Sequence, residues 1–111
     1  MSTEVAAWTP IIIKGQTFST PLSFQDDATG APLPYTDVEI VVTPTVGSPF
    51  TWNATNGQIT FVSAGVYNLS VPYSETASYE WTSGRYRLSV VNAALQPIPC
   101  LTEGLIFAKD C

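Results

Sequence analysis

Nine carboxylates in this sequence could do chemistry, yet their spacing does not suit a catalytic pair. Asp26 and Asp27 are adjacent, and Glu75 and Glu80 flank a short polar stretch. Adjacent residues on an extended chain point to opposite faces, so Asp26 and Asp27 form a poor pair for acid–base catalysis. They also supply too few oxygen atoms for a calcium site, and adjacent residues lack the spaced pattern that calcium ligands need. We therefore expect a polar turn here.

The other side chains that enzymes commonly use are missing or out of context. The sequence contains no histidine, which excludes histidine-based proton transfer, Ser–His triads and histidine metal sites. No serine lies in a Gly-x-Ser-x-Gly elbow, and Lys14-Gly15 lacks the surroundings of a phosphate loop. We predict that the protein is not an enzyme and that it uses no catalytic residue, cofactor or metal ion.

The two cysteines, Cys100 and Cys111, do not have the spacing of a zinc site. We interpret Cys100 as a small buried apolar residue and Cys111 as a free terminal thiol. A disulfide between them is the alternative.

Charge and composition narrow the class of partner. The 111 residues carry four Lys+Arg against nine Asp+Glu, a net charge of -5. Because no basic field is available to neutralise phosphates, we expect no nucleic-acid partner. The apolar run Ile11–Ile13 is too short for a signal peptide or a membrane span. We therefore expect no membrane partner and synthesis in a cytoplasm.

Tryptophans are candidates for binding. Trp8 precedes Pro10 and the isoleucine run that begins at Ile11, and this group is costly to leave in water. Because tryptophan often anchors interfaces, we interpret Trp8, Pro10 and Ile11 as a contact to another subunit. Trp81 is expected to pack against the core, whereas Trp52 could be either a core residue or an exposed platform.

Two arginines are the remaining candidates. Arg85 and Arg87 lie two residues apart and therefore share one face of a strand. One interpretation is a solvated face. The other is pairing with Glu39, with Glu103 or with an acidic group of a partner.

Alternation of apolar and polar residues predicts the strands that position these side chains. A helical period is nearly absent, while nine prolines and seven glycines interrupt the chain. About seven short strands predict an all-β sandwich of two sheets, with a small closed barrel as the alternative. The faces expected in the core are Phe18/Leu22/Phe24, Val38/Ile40/Val42, Ile59/Phe61, Tyr67/Leu69/Val71, Tyr86/Leu88/Val90 and Leu105/Phe107.

Turn chemistry predicts the connections. Asn56-Gly57 indicates a hairpin between a strand around Phe50–Trp52 and one around Ile59–Phe61. Pro21 lacks an N–H and indicates an edge strand or a bulge. Ser74 could cap the one helical turn expected. Residues 1–10 lack alternation and are interpreted as an N-terminal arm, which leaves 11–111 as the sandwich domain.

The order of several motifs resembles a known family. These motifs are Gly15-Gln16-Thr17-Phe18, Asp26-Asp27 with Gly30, Tyr35-Thr36-Asp37, Asn56-Gly57-Gln58-Ile59, Ser74-Glu75-Thr76-Ala77, Gly84-Arg85-Tyr86-Arg87-Leu88-Ser89-Val90 and Leu101-Thr102-Glu103-Gly104. Over roughly Ile11 to Ala108 the chain is similar to small immunoglobulin-like β-sandwich proteins of tailed bacteriophages, akin to the N-terminal module of phage baseplate upper proteins. The resemblance implies an immunoglobulin-like sandwich of antiparallel strands and no enzymatic reaction.

The same resemblance implies a structural role in the virion, in the tail, baseplate or neck or on the capsid surface. The expected partners are other virion structural proteins and further copies of the chain in a symmetric homo-oligomer, assembled after synthesis in the host bacterial cytoplasm. The alternative that the residues leave open is a carbohydrate-binding module for host attachment, which would use exposed aromatic side chains such as Trp52 and Trp81.

Overall fold

Ten strands and one helical turn form the described part of the chain. The computed structural model describes residues 3–4, 9–26, 29, 31, 33, 35–63, 65–91 and 94–110. In chain order the elements are β1 (Thr3–Glu4), β2 (Ile11–Ile13), β3 (Phe18–Ser23), β4 (Gln25–Asp26), β5 (Thr36–Pro44), β6 (Phe50–Asn53), β7 (Ile59–Ser63), β8 (Val66–Val71), α1 (Tyr73–Thr76), β9 (Ser83–Val91) and β10 (Pro97–Lys109).

Two sheets enclose one core. The first has five strands in the order β2-β10-β9-β5-β6, and the second has three in the order β3-β8-β7. Within the described residues no ladder joins the two sheets, so the fold is an all-β sandwich and not a closed barrel. The expected count of about seven strands is exceeded by short elements, including β1 and β4, which pair with each other. The ladder between β2 and β10 is parallel.

Alternation predicted most of the core. Where one face of a strand is polar, as in β9 with Arg85 and Arg87, the other face is buried. Pro21 lies in β3 at an edge of the three-stranded sheet, as expected. The predicted core residues that are buried are Leu22, Phe24, Val38, Ile40, Val42, Ile59, Tyr67, Leu69, Val71, Tyr86, Leu88 and Val90, and Phe18 packs partly against them.

The prediction for β10 is wrong. Ile106 and Ala108 face the core, whereas Leu105 is 48% exposed and Phe107 is half-buried on the outer side. Both alternating faces of this strand are apolar, so the two-residue period alone cannot assign them. The pairing with β9 decides, because it sets Leu105 directly opposite the outward-pointing Arg85.

The prediction of a hairpin at Asn56-Gly57 is also wrong. β6 pairs with β5 and β7 pairs with β8, so this turn carries the chain from one sheet to the other. Gly57 still adopts the positive φ that the sequence suggested, at 89°. Phe61 is not a core residue; it lies on the edge strand β7, 66% exposed, with its ring edge-on to Tyr67 at 5.5 Å.

Two smaller predictions, at α1 and at Cys100, are wrong. The helix follows Pro72 without a side-chain capping bond, so Ser74 does not cap it. Cys100 is exposed rather than buried, because it lies at an irregular stretch of β10. Cys111 lies outside the described residues. The described part of the chain contains no helix with the length and apolar character needed to cross a bilayer.

Candidate functional site

The register of the five-stranded sheet brings Ile11, Arg85 and Arg87 to one surface. Directly opposite residues in a ladder point to the same side of a sheet. On β10, Leu105 is opposite Arg85 and Glu103 is opposite Arg87. Phe107, also on β10, is aligned with Ile11 of β2. These side chains therefore share the surface that faces away from the core, which we call the outer face. Its members are Ile11, Glu39, Val41, Thr43, Arg85, Arg87, Glu103, Leu105, Phe107 and Lys109.

The other two candidate residues near the N-terminus differ from Ile11. Pro10 is buried, and its carbonyl oxygen accepts a hydrogen bond from the backbone N–H of Phe107 at 3.0 Å. Pro10 thus holds the start of β2 against β10 and presents no side chain to a partner. Trp8 lies outside the described residues.

An apolar strip runs along one side of the outer face. Ile11 and Leu105 are each almost half exposed, at 47% and 48%, and the half-buried Phe107 lies between them. The neighbouring Ile12 points inward and is fully buried. The strip is therefore apolar surface that does not belong to the core. A partner that covered it would remove this surface from water.

The arginines border a shallow depression beside this strip. The depression has a volume of about 240 Å³ and is lined by Val41, Thr43, Arg85, Tyr86, Arg87 and Glu103. Glu103 is the cross-strand neighbour of Arg87, and Glu39 is opposite Ser89. Among the described residues, the only ion pair closer than 4 Å joins Lys14 and Asp110, at 3.6 Å. The exposed guanidinium groups of Arg85 and Arg87 are thus not held by an ion pair within that part of the chain.

Glu75 forms a polar cluster where α1 meets β6. Its carboxylate accepts hydrogen bonds from Trp52 Nε1 at 3.1 Å, Gln58 Nε2 at 3.2 Å and the Tyr79 hydroxyl at 2.6 Å. Burial, followed by the hydrogen bond and the negative charge of Glu75, raises the pKa of Tyr79 far above its usual range. Three donors on one carboxylate make this a rigid bracket between β6 and α1.

Aromatic rings surround this bracket. Phe50 stacks on Tyr79 with ring centres 5.3 Å apart, and Tyr79 lies 5.1 Å from Trp81. Trp52 and Trp81 are both buried in the core cluster. Of the two options for Trp52, the structure shows the core residue. Neither tryptophan is an exposed stacking platform for a sugar.

Sequence reasoning missed the roles of Leu105 and Glu75. The sequence places Leu105 in the core, because both faces of β10 are apolar and the two-residue period cannot choose between them. It shows no role for Glu75, since the partners Trp52 and Gln58 lie 23 and 17 residues away. No local periodicity links such positions.

Among the described residues, no group of three or more His, Cys, Asp or Glu side chains could hold a metal ion. Comparison of the chain with protein-family models and with curated proteins finds no match.

Proposed function

We propose that this chain is a structural subunit of a tailed-bacteriophage virion and acts by binding other subunits. The setting comes from the sequence resemblance described above. The observation that carries the binding role is the outer face, where Ile11 and Leu105 leave apolar surface in water beside Arg85 and Arg87.

This combination of side chains suits a protein partner. The apolar strip supplies the area that a contact removes from water, and arginine is enriched at interfaces because its planar group donates several hydrogen bonds. The five-stranded sheet also supplies a firm base, since β10 and β5 both pair with the central strand β9. Rigid β-structure loses little conformational entropy when it binds.

Purified phage particles provide the test. The chain is expected in particles at a fixed copy number, detected by quantitative mass spectrometry after separation from free protein. Leu105→Asp should remove the protein from particles while the isolated domain stays folded, because a charge would then lie inside the contact.

Val62→Asp is the matched control, since Val62 is an exposed apolar residue on the other sheet. It should leave incorporation unchanged. Wild-type protein that is absent from particles would overturn the proposed function. Equal incorporation of the Leu105→Asp and Val62→Asp proteins would remove the outer face from it.

The N-terminal segment can be tested separately. Removing residues 1–9 leaves the backbone bond between Pro10 and Phe107 in place. We expect the truncated protein to keep its fold and to lose incorporation into particles. Normal occupancy of the truncated protein would show that the segment is not a contact.

A further inference from the structure

We propose that the outer face pairs with the outer face of a second copy, so that the unit of assembly is a symmetric dimer with two sheets packed face to face. The proposal deepens the proposed function by naming one partner, and it is tested without virions.

The distribution of charge favours this face for contact between copies. The chain has four Lys+Arg and nine Asp+Glu. Three of the four cations, Arg85, Arg87 and Lys109, lie on the outer face, and its acidic groups are Glu39 and Glu103 with Asp37 just beyond. The remainder of the chain therefore carries one cation and six acids. Two copies repel each other through that acidic remainder, whereas their outer faces are close to neutral.

Apart from Arg87 and Glu103, which lie directly opposite each other, the charges on the outer face are also separated along the strands. Arg85 lies near one end, and Glu39 is opposite Ser89, four residues further along β9. Four residues of a strand span roughly 13 Å. Asp37 and Glu39 line a second depression, of about 250 Å³, at that acidic end. The outer face therefore has a basic end and an acidic end.

A twofold axis that reverses the strand direction matches these ends. It sets the basic end of one copy over the acidic end of the other and repeats the same contacts in reverse, as a closed dimer requires. Arg85 then meets Glu39 of the second copy. Arg87 and Glu103 lie at the same level near the axis, where they pair with Glu103 and Arg87 of the second copy. The apolar strip of Ile11 and Leu105 is covered in the same step.

The size of the face is sufficient. Its five strands have 3, 13, 9, 9 and 4 residues, 38 in total, and each residue covers about 4.8 by 3.3 Å of the sheet. That is on the order of 600 Å² per copy, at the lower end of the roughly 600–1,000 Å² per partner of standard stable interfaces. Packing of two sheets about 10 Å apart is a common arrangement in β-proteins.

Sedimentation of the full chain at increasing concentration tests the proposal. Wild type is expected to form dimers within a range up to about 100 μM, the affinity of a modest interface. Arg85→Glu/Arg87→Glu and Glu39→Arg/Glu103→Arg should each stay monomeric, since like charges then face one another. An equimolar mixture of the two variants should dimerise again, because their outer faces are complementary.

The controls separate this contact from a general effect of charge. Arg85→Ser/Arg87→Ser and Ser19→Glu/Ser23→Glu change the net charge equally, but Ser19 and Ser23 lie on the outward side of β3 in the other sheet. Only the arginine variant should weaken the dimer. Circular dichroism and urea unfolding establish that each variant is folded.

Monomeric wild type throughout the range would overturn the dimer, as would failure of the mixture to dimerise or equal weakening by the serine control. Such results leave the virion test standing on its own, because particle incorporation is measured independently. Conversely, a wild-type dimer with no protein in particles would overturn the proposed function alone.

Discussion

The indole nitrogen of Trp52 donates a hydrogen bond to Glu75 Oε2 over 3.1 Å. Because Trp52 is fully buried, water cannot reach its indole N–H, and the Glu75 carboxylate supplies the acceptor that this donor needs. The same carboxylate binds Gln58 and Tyr79. It thereby fixes the helical turn against the sandwich.

Glu75→Ala should destabilise the fold by about 2 kcal/mol, because it leaves the buried Trp52 N–H without an acceptor and removes two further bonds. Glu75→Gln keeps one acceptor oxygen and should lose about half as much. Urea unfolding measures both. Glu80→Ala, at an exposed acid nearby, should change stability by less than about 0.5 kcal/mol. Equal stability of wild type and the Glu75→Ala protein would contradict the bracket.

Stability should fall as the pH rises above about 10, the pKa of tyrosine in an unfolded chain. Burial and then Glu75 raise the folded pKa of Tyr79, and burial and then Asp37 raise that of Tyr67. The folded state therefore holds protons that the unfolded state releases. This contribution is complete below the unfolded pKa and is lost progressively as the pH rises from the unfolded to the folded pKa.

Urea unfolding on both sides of that pH measures the slope. The Tyr67→Phe/Tyr79→Phe protein should lose less stability across the interval than wild type. Tyr73→Phe, at an exposed ring, serves as the control and should behave as wild type. A slope that is unaffected by the double substitution would contradict this assignment.

Gly84→Ala should destabilise the protein by about 2 kcal/mol or more, through overpacking of neighbouring backbone. A Cβ at this position would lie 2.8 Å from both the Pro44 Cα and the Thr43 carbonyl oxygen. These atoms belong to the backbone of β5 and cannot move aside as a flexible side chain can. Thermal unfolding checks the loss against Ser89→Ala on the same strand, which should be nearly neutral.

Val62→Lys should reduce aggregation at high concentration without changing stability by more than about 0.5 kcal/mol. Val62 lies on the edge strand β7, 60% exposed and next to the exposed Phe61, and the strand carries no charged residue. Light scattering over time measures aggregation. Thr60→Lys places the same charge on β7 but keeps Val62, so a smaller gain there would identify the apolar side chain as the cause.

Much of the fold could be predicted because the physical signal was local. In β9, charged residues alternate with Tyr86, Leu88 and Val90, and only one orientation buries the apolar set. The edge position of β3 followed from the missing N–H of Pro21. The site was predicted only in part: Arg85 and Arg87 were assigned to an outward face, but nothing local connected them with Ile11, and the role of Glu75 rests on partners distant in sequence.

The sequence by itself determined the all-β class, the inward faces of the strands with one polar side, and the outward direction of Arg85 and Arg87. Only the tertiary structure decided that Leu105 faces outward, that the Asn56-Gly57 turn crosses between sheets, and that Ile11 joins the arginines on one surface. The reason is that a two-residue period orients side chains within one strand, whereas the choice of neighbouring strand depends on packing between segments far apart in the chain.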